Sequence, residues 1–233
     1  MSGSPVVTVD DVVAELRSAE LFAAVPPSRL VPMARRAFVR RFAAGQVLFT
    51  EGEPSDHLYV VRTGRVRILV QSVHGEDMTL SVLGPGDTIG ELSMIDGQPR
   101  SASAEALTAT ELVALPADDV RAALRADPVL LAAAAAVLAS TVRRLTSGTA
   151  DLVFLDLPRR LAKLLLAEAR EDPHGRLRVD LGMSQSGLAD RLGVTRQSLN
   201  RALAGLLRRG WVTAEAGGFI IPDPPALRHF AAS

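Results

Sequence analysis

Residues 184–206, which read SQSGLADRLGVTRQSLNRALAGL, place two short amphipathic segments around a glycine turn, and few folds accept that spacing. Ser184 is a suitable cap for a first helix, and Gly193 supplies the left-handed backbone that ends it. Thr195 can then cap a second helix. Apolar residues recur at helical spacing, with Leu188, Ala189 and Leu192 in the first segment and Leu199, Ala202, Leu203 and Leu206 in the second. The stretch predicts a helix-turn-helix.

The outer side of the second predicted helix carries side chains that suit DNA. A guanidinium fork matches the O6 and N7 acceptors of guanine, and an amide can pair with adenine. Short hydroxyls can donate to phosphate oxygens, which fixes the register without reading the sequence. The candidate DNA-binding residues are Thr195, Arg196, Gln197, Ser198, Asn200 and Arg201. Taken alone, the same pattern also fits a solvated surface helix.

The residues that follow this stretch favour DNA binding over a plain surface helix. Two short β-type runs, residues 212–213 and 218–221, flank the turn glycines Gly217 and Gly218. A helix pair followed by a small hairpin is a winged helix-turn-helix, whose wing adds a contact to the DNA backbone. We expect Trp211 to pack beneath the wing as core rather than to stack on a base.

The chain has 233 residues and a formal net charge of zero, but its charge is unevenly distributed. Up to Asp151 there are fourteen arginines and eighteen acidic residues, whereas the remainder holds eleven arginines, Lys163 and eight acidic residues. The length suits two modest domains. A mildly basic second half beside an acidic first half fits nucleic-acid binding that is controlled by another part of the chain.

Composition excludes several classes of site. The chain has no cysteine, which excludes a disulfide framework, an iron–sulfur cluster and a thiolate metal site, and its four histidines have no metal spacing. We find no nucleophile with a neighbouring base and no paired carboxylates, so we expect no enzyme. The start lacks a secretion signal, and the apolar run 129–139 is too short to span a bilayer. We therefore expect a soluble cytoplasmic protein without a membrane partner.

Short β-type segments alternate with glycine turns between Phe38 and Leu115, which predicts an antiparallel roll or barrel. Predicted helices around residues 10–21 and 28–37 precede it. The predicted strands cover residues 47–49, 57–62, 65–70, 78–83, 102–106 and 110–115.

The segment 90–102 brings a carboxylate, an arginine and a hydroxyl together among turn glycines. Arg100, the Ser101 hydroxyl and nearby backbone amides can hold one phosphate, and Glu91 can accept a hydrogen bond from a ribose hydroxyl. A surface ion pair between Glu91 and Arg100 beside a turn accounts for the same residues equally well.

A heptad seam runs along the stretch between Asp127 and Leu155. A seam of this length beside a DNA-reading module favours a parallel homodimer, which would read a pseudo-palindromic site, although a lone amphipathic helix more often packs on its own domain. The seam positions are Leu131, Ala135, Leu138, Val142, Leu145, Thr149 and Leu152.

Several motifs stand along the chain in a fixed order: Phe-x-x-Gly45-x-x-Leu-Phe-x-Glu51-Gly52, Leu58-Tyr59-Val60-Val61, Gly90-Glu91-Leu92, Arg100-Ser101-Ala102, Phe154-Leu155-Asp156 and the helix-turn-helix. With these motifs the chain resembles, over nearly its whole length, the cyclic-AMP receptor and fumarate–nitrate regulator (CRP/FNR) family of bacterial transcription factors. The resemblance implies an α+β fold with three parts: a cyclic-nucleotide-binding β-roll in residues 1–126, a dimerisation helix and hinge in 127–156, and a winged helix-turn-helix in 157–233.

The resemblance implies a cyclic-nucleotide site in which Glu91 binds the ribose hydroxyl while Arg100 and Ser101 bind the cyclic phosphate. Members that respond to cyclic AMP have Thr followed by Ser or Asn against adenine. Leu145 and Thr146 stand there, so only Thr146 can bond the base. Cyclic AMP is the expected effector, with cyclic GMP or another nucleotide as alternatives. The implied nucleotide-binding residues are Gly90, Glu91, Leu92, Arg100, Ser101 and Thr146.

The expected function is that of a dimeric, sequence-specific regulator of transcription, under allosteric control by the bound nucleotide. Its expected partners are double-stranded DNA, a second copy along residues 127–155, and RNA polymerase as a further candidate. The junction 156–159 is the expected hinge, with Pro158 in the first turn of the next helix. Gln197 stands where many members carry glutamate, so we expect a different base preference there. The alternatives are constitutive DNA binding and control by another effector.

Overall fold

The structure is a computed structural model, which describes residues 8–72, 75, 77–180 and 185–232. The chain divides into two units, one formed by residues 1–71 and 80–143 and the other by residues 72–79 and 144–233. Each unit has its own apolar core. The three-part division at residues 126 and 156 stays a prediction.

Two short helices open the first unit, α1 (Val9–Ser18) and α2 (Pro27–Ala34). A capping box starts α1, because the Asp11 amide donates to the Thr8 hydroxyl at 3.2 Å and the Thr8 amide donates back to the Asp11 carboxylate at 2.9 Å. Both predicted helices are confirmed, and each ends three residues before its predicted end.

An antiparallel roll of two four-stranded sheets follows, with the strand orders β1-β8-β3-β6 and β2-β7-β4-β5. All six predicted strands are present, and the structure adds β1 and the two-residue β6. A helix, α3 (Glu91–Asp96), interrupts the roll after β6. The strands are β1 (Phe38–Phe42), β2 (Val47–Phe49), β3 (His57–Thr63), β4 (Val66–Gln71), β5 (Asp77–Leu83), β6 (Thr88–Ile89), β7 (Ser103–Ala106) and β8 (Thr110–Pro116).

After the roll come α4 (Ala117–Ala126) and the 27-residue α5 (Pro128–Phe154). Leu130, Ala134 and Val137 bury one face of α5 in the core of the first unit. The predicted seam lies on a neighbouring face. Its positions are exposed except for the half-buried Leu138, so the alternative of a seam packed on its own domain is wrong for the described protomer.

Helix α5 is longer than the apolar run at 129–139 suggested. Among the described residues, α5 is one helix that is long and apolar enough to cross a membrane. Helices that form the core of soluble proteins meet the same criterion, so this property is weak evidence for a membrane span.

Helix α6 (Leu157–Glu168) begins three residues after α5 ends. The Asp156 side chain caps it by accepting from the Arg159 amide at 3.1 Å, and Pro158 occupies its first turn. The break therefore lies at residues 155–156. Pro158 lies in the first turn of α6, as predicted, and residues 157–159 belong to that helix. Hinge motion at the junction 156–159 stays a prediction.

The second unit is a winged helix-turn-helix with one additional hairpin and a C-terminal helix. Its sheet order is β11-β12-β10-β9. Sequence patterning missed the β9–β10 hairpin, because each of its strands has only three residues. The elements are β9 (Ala169–Glu171), β10 (Leu177–Val179), α7 (Gln185–Leu192), α8 (Arg196–Arg208), β11 (Thr213–Glu215), β12 (Gly218–Ile221) and α9 (Pro224–Ala232).

Local chemistry sets the helix-turn-helix as predicted. Gly193 has a positive φ of 64°, and the Thr195 hydroxyl accepts from the Ser198 amide at 3.2 Å to cap α8. Trp211 is half-buried and lies against Phe230 of α9, with ring centroids 4.4 Å apart, so it is part of the core. The predicted cap Ser184 lies outside the described residues.

Candidate nucleotide pocket and DNA-reading helix

The backbone at Gly90 shapes the first half of the candidate pocket. Gly90 adopts φ 88° and ψ 21° directly before α3, where it is the N-cap residue. A Cβ at this position would overlap Nη1 of Arg100. Glycine is therefore required twice over, for its left-handed backbone and for the close approach of the arginine.

Arg100 is the buried cation of the pocket, with only 3% of its surface exposed. Its Nη2 donates to the His57 carbonyl at 2.6 Å and its Nη1 to the Gly90 carbonyl at 3.5 Å. The guanidinium carbon lies 4.1 Å from the ring centroid of Phe49, a cation–π distance. Arg100 therefore lies beneath the surface, and its burial does not fit the alternative of an exposed ion pair beside a turn.

The main chain of Arg100 is fixed separately from its side chain. Its amide donates to the Glu53 carbonyl at 2.9 Å, and its carbonyl accepts from the Gly52 amide at 2.8 Å. These two bonds tie the end of the pocket segment to the turn between β2 and β3. The backbone of Arg100 is therefore fixed at this turn, and the side chain extends from there into the roll.

Burial and nearby acidic groups act on Arg100 in opposite directions. Burial lowers the pKa of Arg100, while Tyr59, Asp56, Glu53 and Glu91 raise it. The Nε of Arg100 is buried without a hydrogen-bond partner in the described structure. A buried cation whose hydrogen bonds go to neutral carbonyls is costly, and a phosphate would supply a charged hydrogen-bond partner.

The structure places the other predicted pocket residues on different elements. Glu91 and Leu92 are the first two residues of α3, directly after Gly90, and Leu92 is exposed. Ser101 is exposed beside Arg100 in the chain. Thr146 is an exposed residue of α5 that belongs to the second unit, so its contact with a nucleotide stays a prediction.

Sequence reasoning missed the residues that hold the guanidinium. Phe49 and His57 are 51 and 43 positions from Arg100 along the chain, and they act through a ring face and a backbone carbonyl. Tyr59, whose ring lies 5.8 Å from the guanidinium carbon, is also buried. The short apolar runs in β2 and β3 were the one hint in the sequence that such side chains face the inside of the roll.

On α8 the side chains divide as predicted, because the apolar positions are buried and the polar ones face outward. The hydroxyls of Thr195 and Ser198 lie 3.1 Å apart and belong to the helix cap, so contact with phosphate remains a prediction for both. Ser198 is half-buried. The exposed residues of the predicted set are Thr195, Arg196, Gln197, Asn200 and Arg201.

Two arginines that the sequence did not single out anchor α7 to α6. Arg191 of α7 pairs with Glu168 at 2.6 Å, and Arg160 of α6 donates to the Leu192 carbonyl at the end of α7. Because α7 in turn packs against α8, these contacts fix the base of the recognition helix.

The wing is held by a separate group of charges. Arg178 of β10 pairs with Glu215 at 2.5 Å and donates to the Ala216 carbonyl at 2.6 Å. Arg176 bridges Glu215 at 3.2 Å and Asp172 at 2.8 Å. Hydrogen bonds from the Arg176 amide, above all, lower the pKa of Asp172 to about 2, with further contributions from the Arg176 side chain and the His174 amide.

Comparison with known proteins matches both the β-roll and the winged helix-turn-helix to known domains. Residues 39–127 match the cyclic nucleotide-binding domain, and residues 159–230 match the Crp-like helix-turn-helix domain. The chain is 34% identical over 219 residues to the CRP-like cAMP-activated global transcriptional regulator of Mycobacterium tuberculosis, covering 93% of this chain and 98% of that protein. This chain belongs to the CRP/FNR family.

Other CRP/FNR proteins are similar over most of their length. The cyclic AMP receptor protein of Thermus thermophilus is 32% identical over 217 residues, which cover 93% of this chain and 98% of that one. The crystal structure of a transcriptional regulator of the CRP/FNR family from the same species superposes with a TM-score of 0.67 at 28% identity, covering 84% of this chain and 99% of that chain.

Membership of the CRP/FNR family settles the coarse function. The chain is a transcriptional regulator with a cyclic nucleotide-binding domain and a DNA-binding helix-turn-helix domain. Members are transcription factors, not enzymes, and they are soluble DNA-binding proteins, so the apolar α5 is a helix of a soluble regulator. The predicted α+β fold, with its β-roll, long helix and winged helix-turn-helix, is confirmed.

Proposed function

We propose that this chain is a cytoplasmic homodimer whose affinity for specific DNA is raised by a cyclic nucleotide, cyclic AMP first among them. The observation that carries the proposal is Arg100, a buried cation whose hydrogen bonds go to two backbone carbonyls and whose Nε has no partner among the described residues. A singly charged cyclic phosphate would complete that arrangement, and Ser101 is adjacent to donate a hydroxyl.

Glu91 supports a ribose as the second half of the ligand. It directly follows Gly90, whose backbone approaches Nη1 of Arg100, and it is the first residue of α3. A carboxylate accepts a hydrogen bond from a free 2′-hydroxyl, which a cyclic 3′,5′-nucleotide retains. Cyclic AMP is preferred because two relatives with 34% and 32% identity carry that nucleotide in their names.

The exposed seam of α5 supports a dimer. Leu131, Val142, Leu145 and Leu152 are more than half exposed at heptad spacing, which is the pattern of a helix that packs against a second copy. A twofold dimer would present two α8 helices to successive major grooves, about one helical turn or 34 Å apart. The DNA site would then be pseudo-palindromic, and RNA polymerase is a further candidate partner at such a site.

The exposed side chains of α8 support direct reading of bases. Arg196 and Arg201 can pair with guanine, and Gln197 and Asn200 can pair with adenine. Thr195 and Ser198 lie at the start of the helix, where short donors reach phosphate. The wing held by Arg178 would add a contact to the backbone of the DNA.

Calorimetric titration with cyclic AMP and cyclic GMP tests the effector. Three proteins are compared: the wild type, Arg100→Ala and the control Arg36→Ala, which removes an exposed arginine that pairs with Asp119. We expect saturable heat from the wild type and the control, and none from Arg100→Ala. No heat from the wild type with either nucleotide would refute nucleotide control.

Constitutive DNA binding is the second candidate, and Leu145 favours it. This residue is apolar and 55% exposed on the seam of α5, at the position where cyclic-AMP responders present a hydroxyl to adenine. A protein of this kind would bind its DNA site equally well with and without nucleotide, and the calorimetry above would show no heat.

A further inference from the structure

An ion pair crosses the break between α5 and α6. Lys163, in the second turn of α6, lies with its Nζ 2.6 Å from Oδ1 of Asp151 on α5. The two residues are twelve positions apart and flank the two-residue link at 155–156. Unlike a pair within one helix, this contact depends on the angle at which α6 leaves α5.

Asp156, the neighbouring charge at the break, has a different role. Asp156 accepts from the Arg159 amide at 3.1 Å and from Nη1 of Arg159 at 2.7 Å, so its carboxylate is used to start α6. Those bonds remain the same whatever the direction of α5. Asp156 therefore fixes the beginning of the second helix, and the Asp151–Lys163 pair connects the two helices.

Apolar packing contributes little to holding the end of α5. Leu152, Val153 and Phe154 are 51%, 71% and 81% exposed. Within one protomer, a helix end with so little buried surface has few apolar contacts that resist rotation about residues 155–156. The side chains of Asp151 and Lys163 are only 24% and 42% exposed, so this pair is the better shielded contact at the break.

Lys163 is also the only lysine of the chain, against 25 arginines. An arginine would bind a carboxylate through a rigid two-pronged fork, whereas a lysine ammonium is a point charge on a flexible stem. A lysine at this position gives a contact that can form and open without a strict geometry. Because no other lysine competes for an amine reagent, the reactivity of Lys163 can be followed by chemical labelling.

We propose that Asp151 and Lys163 are positioning residues for regulated DNA binding, because their ion pair holds one of the two hinge arrangements and is broken in the other. The proposal rests on the proposed function only in taking the hinge to have two arrangements. A contact present in one arrangement alone shifts the balance between them by its own free energy.

Amine labelling of the intact protein reads the pair directly. A limiting amount of an N-hydroxysuccinimide acetate acetylates Lys163, its rate is followed by mass spectrometry, and the N-terminal amine is the internal reference. We expect Asp151→Asn to raise the rate at Lys163 by ~2- to 5-fold, in line with a partly exposed pair. The control Asp118→Asn removes a carboxylate that is 97% exposed on α4 and leaves the rate unchanged.

The same labelling is repeated with cyclic AMP, and with a duplex that the wild type has selected from a randomised pool. In the wild type at least one of these additions changes the rate at Lys163, whereas in Asp151→Asn neither does. Equal rates in wild type and Asp151→Asn, or a wild-type rate that neither addition changes, would overturn the proposal.

Charge reversal separates positioning from a loss of folding. Asp151→Arg and Lys163→Glu each change the ratio of DNA affinities with and without cyclic AMP by ~2- to 5-fold, and the double reversal restores it. If calorimetry shows no nucleotide binding but the duplex still alters labelling of the wild type, nucleotide control fails and the hinge pair stands. If nucleotide binds but wild type and Asp151→Asn label alike, the hinge pair fails and the proposed function stands.

Discussion

The arginines of the β-roll and those of the recognition helix meet opposite conditions. Arg100 is 3% exposed and held by two carbonyls and the Phe49 ring, whereas Arg196 and Arg201 are exposed on α8. A buried arginine is fixed before its ligand arrives, so little side-chain entropy is lost on binding. We propose that the exposed arginines become ordered only when they contact a base. On this proposal the pocket suits one small anion, and the helix suits variable contacts.

The largest expected effect comes from removing the buried arginine. Arg100→Ala should weaken nucleotide binding by about 3 kcal/mol, or ~100-fold, because the phosphate loses a charged hydrogen-bond partner in a shielded site. Isothermal titration with cyclic AMP measures it. Arg100→Lys is the matched control, since it keeps the charge but loses the fork. If Arg100→Ala bound cyclic AMP as tightly as the wild type, Arg100 would not hold the phosphate, and the contrast between the β-roll and the recognition helix would be lost.

Removing a recognition arginine should cost less and act locally. Arg196→Ala should weaken binding to the selected duplex by roughly 1 to 3 kcal/mol and relax preference at a single base pair. Fluorescence anisotropy on duplexes substituted one pair at a time gives both quantities. Nucleotide binding should not change. Uniform loss on every duplex would mean that Arg196 contacts phosphate instead of a base.

Exchanging an amide for a carboxylate on α8 should change the base preference more than the overall affinity for DNA. Gln197→Glu places an acceptor where it can receive a hydrogen bond from cytosine N4, so the preferred base should shift at one position, by about 1 kcal/mol or more. Selection from a randomised duplex pool, with both proteins in parallel, reports the shift. Identical selected sequences would show that Gln197 does not face a base.

The smallest expected effect concerns the paired arginines of the wing, which are neither buried nor free. The pKa of Asp172 is about 2 in the folded chain, below its ordinary value of 3.8, chiefly because of the Arg176 amide. Its contribution to stability is therefore complete above pH 3.8 and is lost as the pH falls towards 2. Asp172→Asn should flatten the fall in thermal stability over that window. If thermal stability fell with pH as steeply in Asp172→Asn as in the wild type, the ion pairs of Asp172 at the wing would not stabilise the fold.

Local patterns predicted most of the fold. The helix-turn-helix followed from Gly193, Thr195 and the spacing of the apolar residues, all of which act within a few positions of the chain. Arg100 and Ser101 are singled out by residue type as a candidate phosphate site, which stays a prediction. The three-residue strands β9 and β10 are too short to show a period, so patterning passed over them.

The partners of Arg100 could not be predicted, for a physical reason. Phe49 acts through a ring face and His57 through its carbonyl, which every residue type possesses. Their place beside the guanidinium is a product of the strand order, which brings distant segments together. The exact start of α6 also follows from a contact, because Asp156 and Pro158 are compatible with both a link and a helix start, and the Asp156 cap decides between them.

If the buried Arg100 controls DNA binding by the exposed arginines of α8, a nucleotide that reaches Arg100 must change DNA affinity. DNA affinity is measured on the selected duplex with and without saturating cyclic AMP, for the wild type and Arg100→Ala. We expect cyclic AMP to tighten DNA binding by the wild type and to leave Arg100→Ala at the affinity of the nucleotide-free wild type. Equal affinity of the wild type with and without nucleotide would contradict it.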